Sequence, residues 1–192
     1  MSKIIFFGLW KIGRIRKHLD RTLTERLIHS FITSRLDYCN SLLYGLDKKV
    51  LRPLVLIHNS AARMITLTKQ REHITPVMEE LHWLPIHQRS KFKILIITFK
   101  CLHGNAPSYL TELLHYDVPP RTLRPNAISL KPVRTTKTHY YGPTAFSVAA
   151  PTLWNDLPKS LRTITDFTVF KSRLKTHLFR QHYEEFYMWS IE

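Results

Sequence analysis

Glycine is scarce, five in 192 residues. That argues against Gly-rich phosphate loops and against all-β folds punctuated by glycine turns. Cysteine is scarcer still. Cys39 and Cys101 alone exclude a disulfide scaffold and a four-cysteine zinc site, and point to a reducing compartment. Long apolar runs are missing. The longest early one, Ile4 to Trp10, is interrupted by Gly8 and ended by Lys11. It is too short to cross a bilayer and has no small-residue cleavage site after it. The expectation is an intracellular protein of the nucleus or cytoplasm, with no membrane partner. Acid is also in short supply: 14 Asp and Glu stand against 29 Lys and Arg, a formal net charge of +15. Self-repulsion on that scale opposes compaction, and a polyanionic partner is the natural way to offset it.

What is present is ample for a core, since 44% of residues are hydrophobic and 11% aromatic. The patterning predicts a mainly α fold, an irregular helical bundle over 1–114. A basic, proline-containing linker or arm follows over 115–138, then an aromatic-rich segment with a C-terminal helix over 139–192 that has room for a short β-hairpin. Thr22-Leu23-Thr24-Glu25 fits a capping box, and Leu27, Phe31, Tyr38 and Leu42 then recur at helical spacing towards a stop at Gly45. Asp47 is placed to cap a second helix whose apolar stripe is Val50, Leu54, Ile57, Ala61 and Met64. Thr75-Pro76 reads as a helix start, and 86–103 as the most apolar helix, closed by Gly104. Pro107 opens a short helix. The last helix runs from about Asp166 to Phe179 on Phe167, Phe170, Leu174 and Leu178.

Searching these elements for chemistry yields little. Metal-dependent phosphoryl transfer needs converging carboxylates, yet no aspartate neighbours another acid. The adjacent pairs Glu79-Glu80 and Glu184-Glu185 point apart on a helix. Cys101-Leu102-His103 and His82 with His87 miss the usual zinc spacings, and no G-x-S-x-G elbow, P-loop or dinucleotide motif is present. No catalytic residue, metal ligand or cofactor is therefore assigned. The cations remain. They are spread along the chain and form helical stripes, Arg89, Lys93 and Lys100 on one helix, Arg14 and Lys17 with Arg21 a turn further on another. Such stripes can track a phosphate backbone, and equally serve as solvated faces. The cluster Arg14, Arg16 and Lys17 reads as a nuclear-import patch or, more simply, as such a face. The candidate contacts with an RNA or DNA backbone are Arg14, Lys17, Arg63, Arg89, Lys93 and Arg124. Arg63 lies beside the Ala61-Ala62 stripe and is as suited to bridging helices. Tyr140, Tyr141 and Trp154, near the basic arm, are candidates for stacking on unpaired bases or for core anchors.

Several ordered blocks carry a resemblance: Ser34-Arg35-Leu36-Asp37-Tyr38-Cys39-Asn40-Ser41-Leu42-Leu43-Tyr44-Gly45, Asn59-Ser60-Ala61-Ala62-Arg63-Met64-Ile65, His82-Trp83-Leu84-Pro85-Ile86, Ala106-Pro107-Ser108-Tyr109-Leu110, the run from Ala145 to Asn155, and Phe170-Lys171-Ser172-Arg173-Leu174-Lys175. Together, over roughly residues 11–182, they resemble the region C-terminal to the polymerase domain in non-LTR (LINE-type, jockey-like clade) retrotransposon reverse transcriptases. The resemblance implies a parent polyprotein with an endonuclease and an RNA-directed DNA polymerase, and a helical region that helps hold template RNA or target DNA. The palm with its paired aspartates is absent from this chain, as is the cysteine-histidine knuckle of some related elements, so no catalytic role carries over. A truncated, element-derived reading frame is the simplest account. The reading expected is a non-catalytic nucleic-acid-binding fragment. The alternative is a helical protein-interaction module docking on the polymerase domain or on a second copy, which a large exposed apolar face would favour.

Overall fold

The computed structural model describes residues 2–117, 129–131 and 142–189. Among these the chain is mainly helical, with no β-strand. The helices are α1 (Ser2–Ile15), α2 (Arg21–Ile28), α3 (Ser34–Asp37), α4 (Lys48–Thr66), α5 (Ile74–Glu80), α6 (Ile86–Leu102), α7 (Ser108–Thr111), α8 (Phe146–Asn155), α9 (Lys159–Arg162) and α10 (Phe167–Trp189). They belong to two compact units. One holds the residues up to Arg89 together with those from His182 onward, and the other holds Ser90–Gln181. The change of composition at residue 115 falls inside the second.

In the first unit, α1 buries Ile5, Leu9 and Ile12, spaced at four and three so that they share one helical face. The stop after α1 is local. A 3₁₀ turn spans Arg16–His18, and Asp20 then accepts the backbone N–H of Leu23 at 2.6 Å. Asp20, not Thr22, is thus the N-cap of α2, because a carboxylate at that position meets the orphan N–H groups of the first turn. The helix passes through a wider π turn at His29–Thr33 into α3. Its buried stripe is Thr24, Ile28, Ile32 and Leu36, whereas Phe31, Tyr38 and Leu42 of the expected stripe face outward. Steps of four drift around an α-helix of 3.6 residues per turn, and the π turn brings them back into phase. Cys39, with φ 54°, ends the helix, and a 3₁₀ turn follows over Asn40–Leu43.

Asp47 caps α4 as expected, accepting from the N–H of Lys49 at 2.9 Å. The core face of α4 is Leu51, Ile57, His58, Ala61, Ala62 and Ile65, and Val50 is exposed. The start of α5 is capped by His73, which puts Pro76 at its third residue. Trp83 and Leu84 are buried on the connection to α6, and the hydroxyl of Tyr183, near the end of α10, donates to the Trp83 carbonyl at 2.9 Å.

The second unit is organised around aromatic contacts. Phe99 of α6 stacks on Phe170 of α10 with centroids 4.3 Å apart, and Trp154 of α8 lies 5.7 Å from Phe170. All three are buried. Gly104, with φ 71°, turns the chain out of α6, a conformation that suits a residue without Cβ. Asp166 caps α10 through the N–H of Val169 at 2.7 Å, and Phe170, Leu174 and Leu178 form its buried stripe. That helix runs on to Trp189, beyond the expected stop at Phe179. The segment 139–192, expected to have room for a short β-hairpin, forms a 3₁₀ turn at Gly142–Thr144, α8, α9 and α10 where it is described. Among the described residues the extended pairing is an isolated antiparallel bridge, Tyr116 with Leu130. Asn155 completes it, its amide donating to the Leu130 carbonyl at 2.7 Å and its side-chain oxygen accepting from the Leu130 N–H at 3.0 Å.

Candidate nucleic-acid interface

The six candidate cations have different fates. Arg89 is turned inward. One guanidinium nitrogen reaches both carboxylate oxygens of Asp37 at 2.8 Å, and Nε donates to the Leu84 carbonyl at 3.0 Å. Its side chain is only 14% exposed, so it joins α6 to the end of α3 rather than presenting charge to solvent. Arg63 closes the turn after its own helix, donating to the carbonyls of Lys69 at 2.6 Å and Glu72 at 2.7 Å. Lys93 is exposed on α6. Arg14 and Lys17 are exposed at the end of α1 and in the following 3₁₀ turn. Arg124 lies outside the described residues, as does most of the basic arm.

Arg16 and Arg21, neighbours of the exposed pair, are also engaged. Arg16 donates through Nε to the Met64 carbonyl at 2.8 Å and through its two terminal nitrogens to Leu19 and Ile65. It thereby satisfies carbonyls that the last turn of α4 leaves without helical partners. Arg21 belongs to a different helix from Arg14 and pairs with Glu80. A mixed groove of about 660 Å³, lined by Arg16, Asn59, Arg63 and Gln70 beside Leu56 and Leu67, therefore offers two arginines whose fork donors are already committed to backbone oxygens.

A second groove of about 650 Å³ has a different character. It is walled by α1 on one side and by Leu27 and Phe31 on the other, with Ile12 beneath and Trp10, Lys11 and Arg14 around it. No acidic side chain lines it. The segment 1–19 carries Lys3, Lys11, Arg14, Arg16 and Lys17 and no Asp or Glu. The outward face of α1 is also apolar: Ile4, Phe6, Phe7, Trp10 and Ile15 are about half exposed. Phe7 and Trp10 stack with centroids 5.8 Å apart and planes 15° apart. Lys11 lies 4.6 Å over the Phe7 ring, and the Arg14 guanidinium 5.2 Å over Trp10, so the cations sit against the rings that are open to solvent.

Trp154, a stacking candidate from sequence, is fully buried and cannot meet a base. Tyr140 and Tyr141 lie outside the described residues. Exposed aromatics that sit beside cations are found on α1, where Phe7, Trp10, Lys11 and Arg14 at i, i+3, i+4 and i+7 were the available signal. Cys101 is buried, which pushes its thiol pKa up. His103 stacks on Phe99 at 4.0 Å. Among the described residues no group of three or more His, Cys, Asp or Glu is placed to hold a metal ion, and no helix is long and apolar enough to cross a membrane.

The blocks that carried the resemblance hold structural positions: Asp37 receives Arg89, Asn155 brackets Leu130, and Trp83 accepts from Tyr183. Comparison with protein-family models, with curated proteins and with solved structures finds no match.

Proposed function

We propose that the chain is a non-catalytic nucleic-acid-binding module that contacts the sugar–phosphate backbone of RNA or DNA, of the kind found C-terminal to the polymerase domain of LINE-type reverse transcriptases. The observation that carries this reading is the acid-free segment 1–19, whose Lys11, Arg14 and Lys17 remain exposed while Arg16, Arg63 and Arg89 are engaged on protein oxygens. A phosphate chain laid along these three cations releases its condensed counterions, which makes affinity steeply salt-dependent. Measured as filter binding to a single-stranded RNA across a KCl series, three contacts give a slope of log affinity on log salt of about −2. The double variant Arg14→Glu, Lys17→Glu is expected to flatten that slope by about 1.4 and to weaken binding at every salt concentration. Absence of binding at about 50 mM KCl, or an affinity indifferent to salt, refutes the reading.

A second reading, docking of the helical surface on a polymerase domain, draws on the outward Ile4, Phe6 and Phe7 of α1. Monomeric proteins seldom leave so contiguous an apolar face bare. Stoichiometric binding to a separately produced polymerase domain that is insensitive to salt and lost in Phe6→Asp would support it over the first.

A further inference from the structure

We propose that the α1 groove is a stacking site for an unpaired nucleobase, lined by Trp10 and Phe31, in which Lys11 and Arg14, resting on the Phe7 and Trp10 rings in the free protein, turn to the flanking phosphates and leave the indole face to the base. The inference rests on the nucleic-acid reading above and narrows its partner to a single strand. A base in a duplex has both faces covered, whereas an unpaired base offers a flat apolar face beside a negative charge. That is the combination the groove complements. Trp10 and Phe31 are each 51% exposed, Ile12 closes the floor, and cations without a competing acid line the rim.

Other occupants fit less well. A second copy of α1 would set five cations against five with no acid in residues 1–19 to offset them. An apolar peptide would cover the rings but leave Lys11 and Arg14 desolvated without an anion. An in-plane membrane helix would keep its cations on the face opposite its aromatics, whereas here Lys11 and Arg14 lie directly over Phe7 and Trp10. Stacking on aromatic side chains with phosphate-tracking cations is the usual chemistry of sequence-tolerant single-strand binding.

The test uses the full chain and four probes: an oligouridylate of about 12 nucleotides, an abasic oligomer of equal length, a duplex of equal length, and vesicles of phosphatidylserine and phosphatidylcholine. The wild type is expected to bind the oligouridylate about tenfold more tightly than the abasic oligomer. Trp10→Leu keeps an apolar side chain and removes the indole. It is expected to lose about that tenfold on the oligouridylate only, with the salt slope and the abasic affinity unchanged. Trp10→Tyr restores most of the affinity, and the quenching of tryptophan emission by oligouridylate disappears in Trp10→Leu. Because Trp10 is half exposed, a far-UV circular dichroism spectrum matching wild type is expected of both variants.

Equal affinity for abasic and uridylate oligomers, equal affinity for duplex and single strand, or an unaffected Trp10→Leu each overturns the stacking site while leaving salt-dependent backbone binding standing. Vesicle binding by wild type and Trp10→Leu alike, with no response to the oligouridylate, overturns it in favour of a membrane surface. Failure of all nucleic-acid probes at low salt removes the underlying reading instead.

Discussion

His58 should make the first unit acid-labile. It sits on the core face of α4, 1% exposed, stacked on Trp83 with centroids 5.0 Å apart. Burial, with a smaller contribution from the positive charge of Arg89, lowers its pKa from 6.5 to about 3. Its Nε2 has no hydrogen-bond partner among the described residues, so nothing there would receive the proton of an imidazolium. Above pH 6.5 the residue is neutral both folded and unfolded and contributes no pH dependence. As pH falls below 6.5 the unfolded chain takes up a proton that the folded chain refuses, and stability drops by about 1.4 kcal/mol per unit. By about pH 4.5 the loss is ~2.7 kcal/mol, and it levels off near 5 kcal/mol below pH 3. Against a typical total of ~5–15 kcal/mol, the first loss is measurable and the second is enough to unfold a marginal domain. Urea denaturation of wild type and His58→Leu, followed between about pH 7.5 and 4.5, isolates the effect from that of the carboxylates, which are common to both. The variant is expected to lie within about 1 kcal/mol of wild type at neutral pH, since it removes an unpaired polar atom. It should lose ~2–3 kcal/mol less on acidification. Parallel pH slopes for the two proteins, or a His58 resonance titrating near 6.5 in the folded chain, would refute the reasoning.

The other predictions concern residues whose side chains reach across sequence. Arg89→Ala removes the Asp37 pair and the donor to Leu84 at a part-buried site, and is expected to cost ~2–3 kcal/mol in urea denaturation. Asn155→Ala strips two hydrogen bonds from the Leu130 backbone and should cost ~2 kcal/mol, with increased proteolysis near the Tyr116–Leu130 bridge. Trp154→Ala opens a cavity against Phe170 and should cost ~3–5 kcal/mol in chemical denaturation.

Helix identity was largely readable and some caps and stops were too, because they depend on neighbours, whereas the starts expected at Thr22 and Thr75 and the stops expected at Gly45 and Phe179 were displaced. Asp47 capping α4, Gly104 ending α6 and the Phe170, Leu174 and Leu178 stripe of α10 all follow from spacings of a few residues. Faces were read less well where two apolar positions per turn compete for the core. Leu27, Phe31, Tyr38 and Leu42 and the alternative Thr24, Ile28, Ile32 and Leu36 both fit a helix, and the π turn that selects the second has no distinct composition. The candidate interface was legible in part. Arg14 and Lys17 are exposed as a basic stripe requires, and the aromatic half of the groove, Trp10 and Phe31, was not singled out, because its walls come from segments 21 residues apart in sequence.

Composition and periodicity by themselves determined that this chain is helical, cationic and rich enough in apolar residues for a core. Those properties belong to each residue and its near neighbours. Only the tertiary structure decided which cations are available. Arg16 and Arg89 look no different in sequence from Arg14, but a guanidinium is committed or free according to which carbonyls and carboxylates packing brings within 3 Å, and those partners lie up to 52 residues away. The same packing buried Trp154 and left Trp10 at the surface, because a helix has one face to give to the core and the rest of it meets solvent.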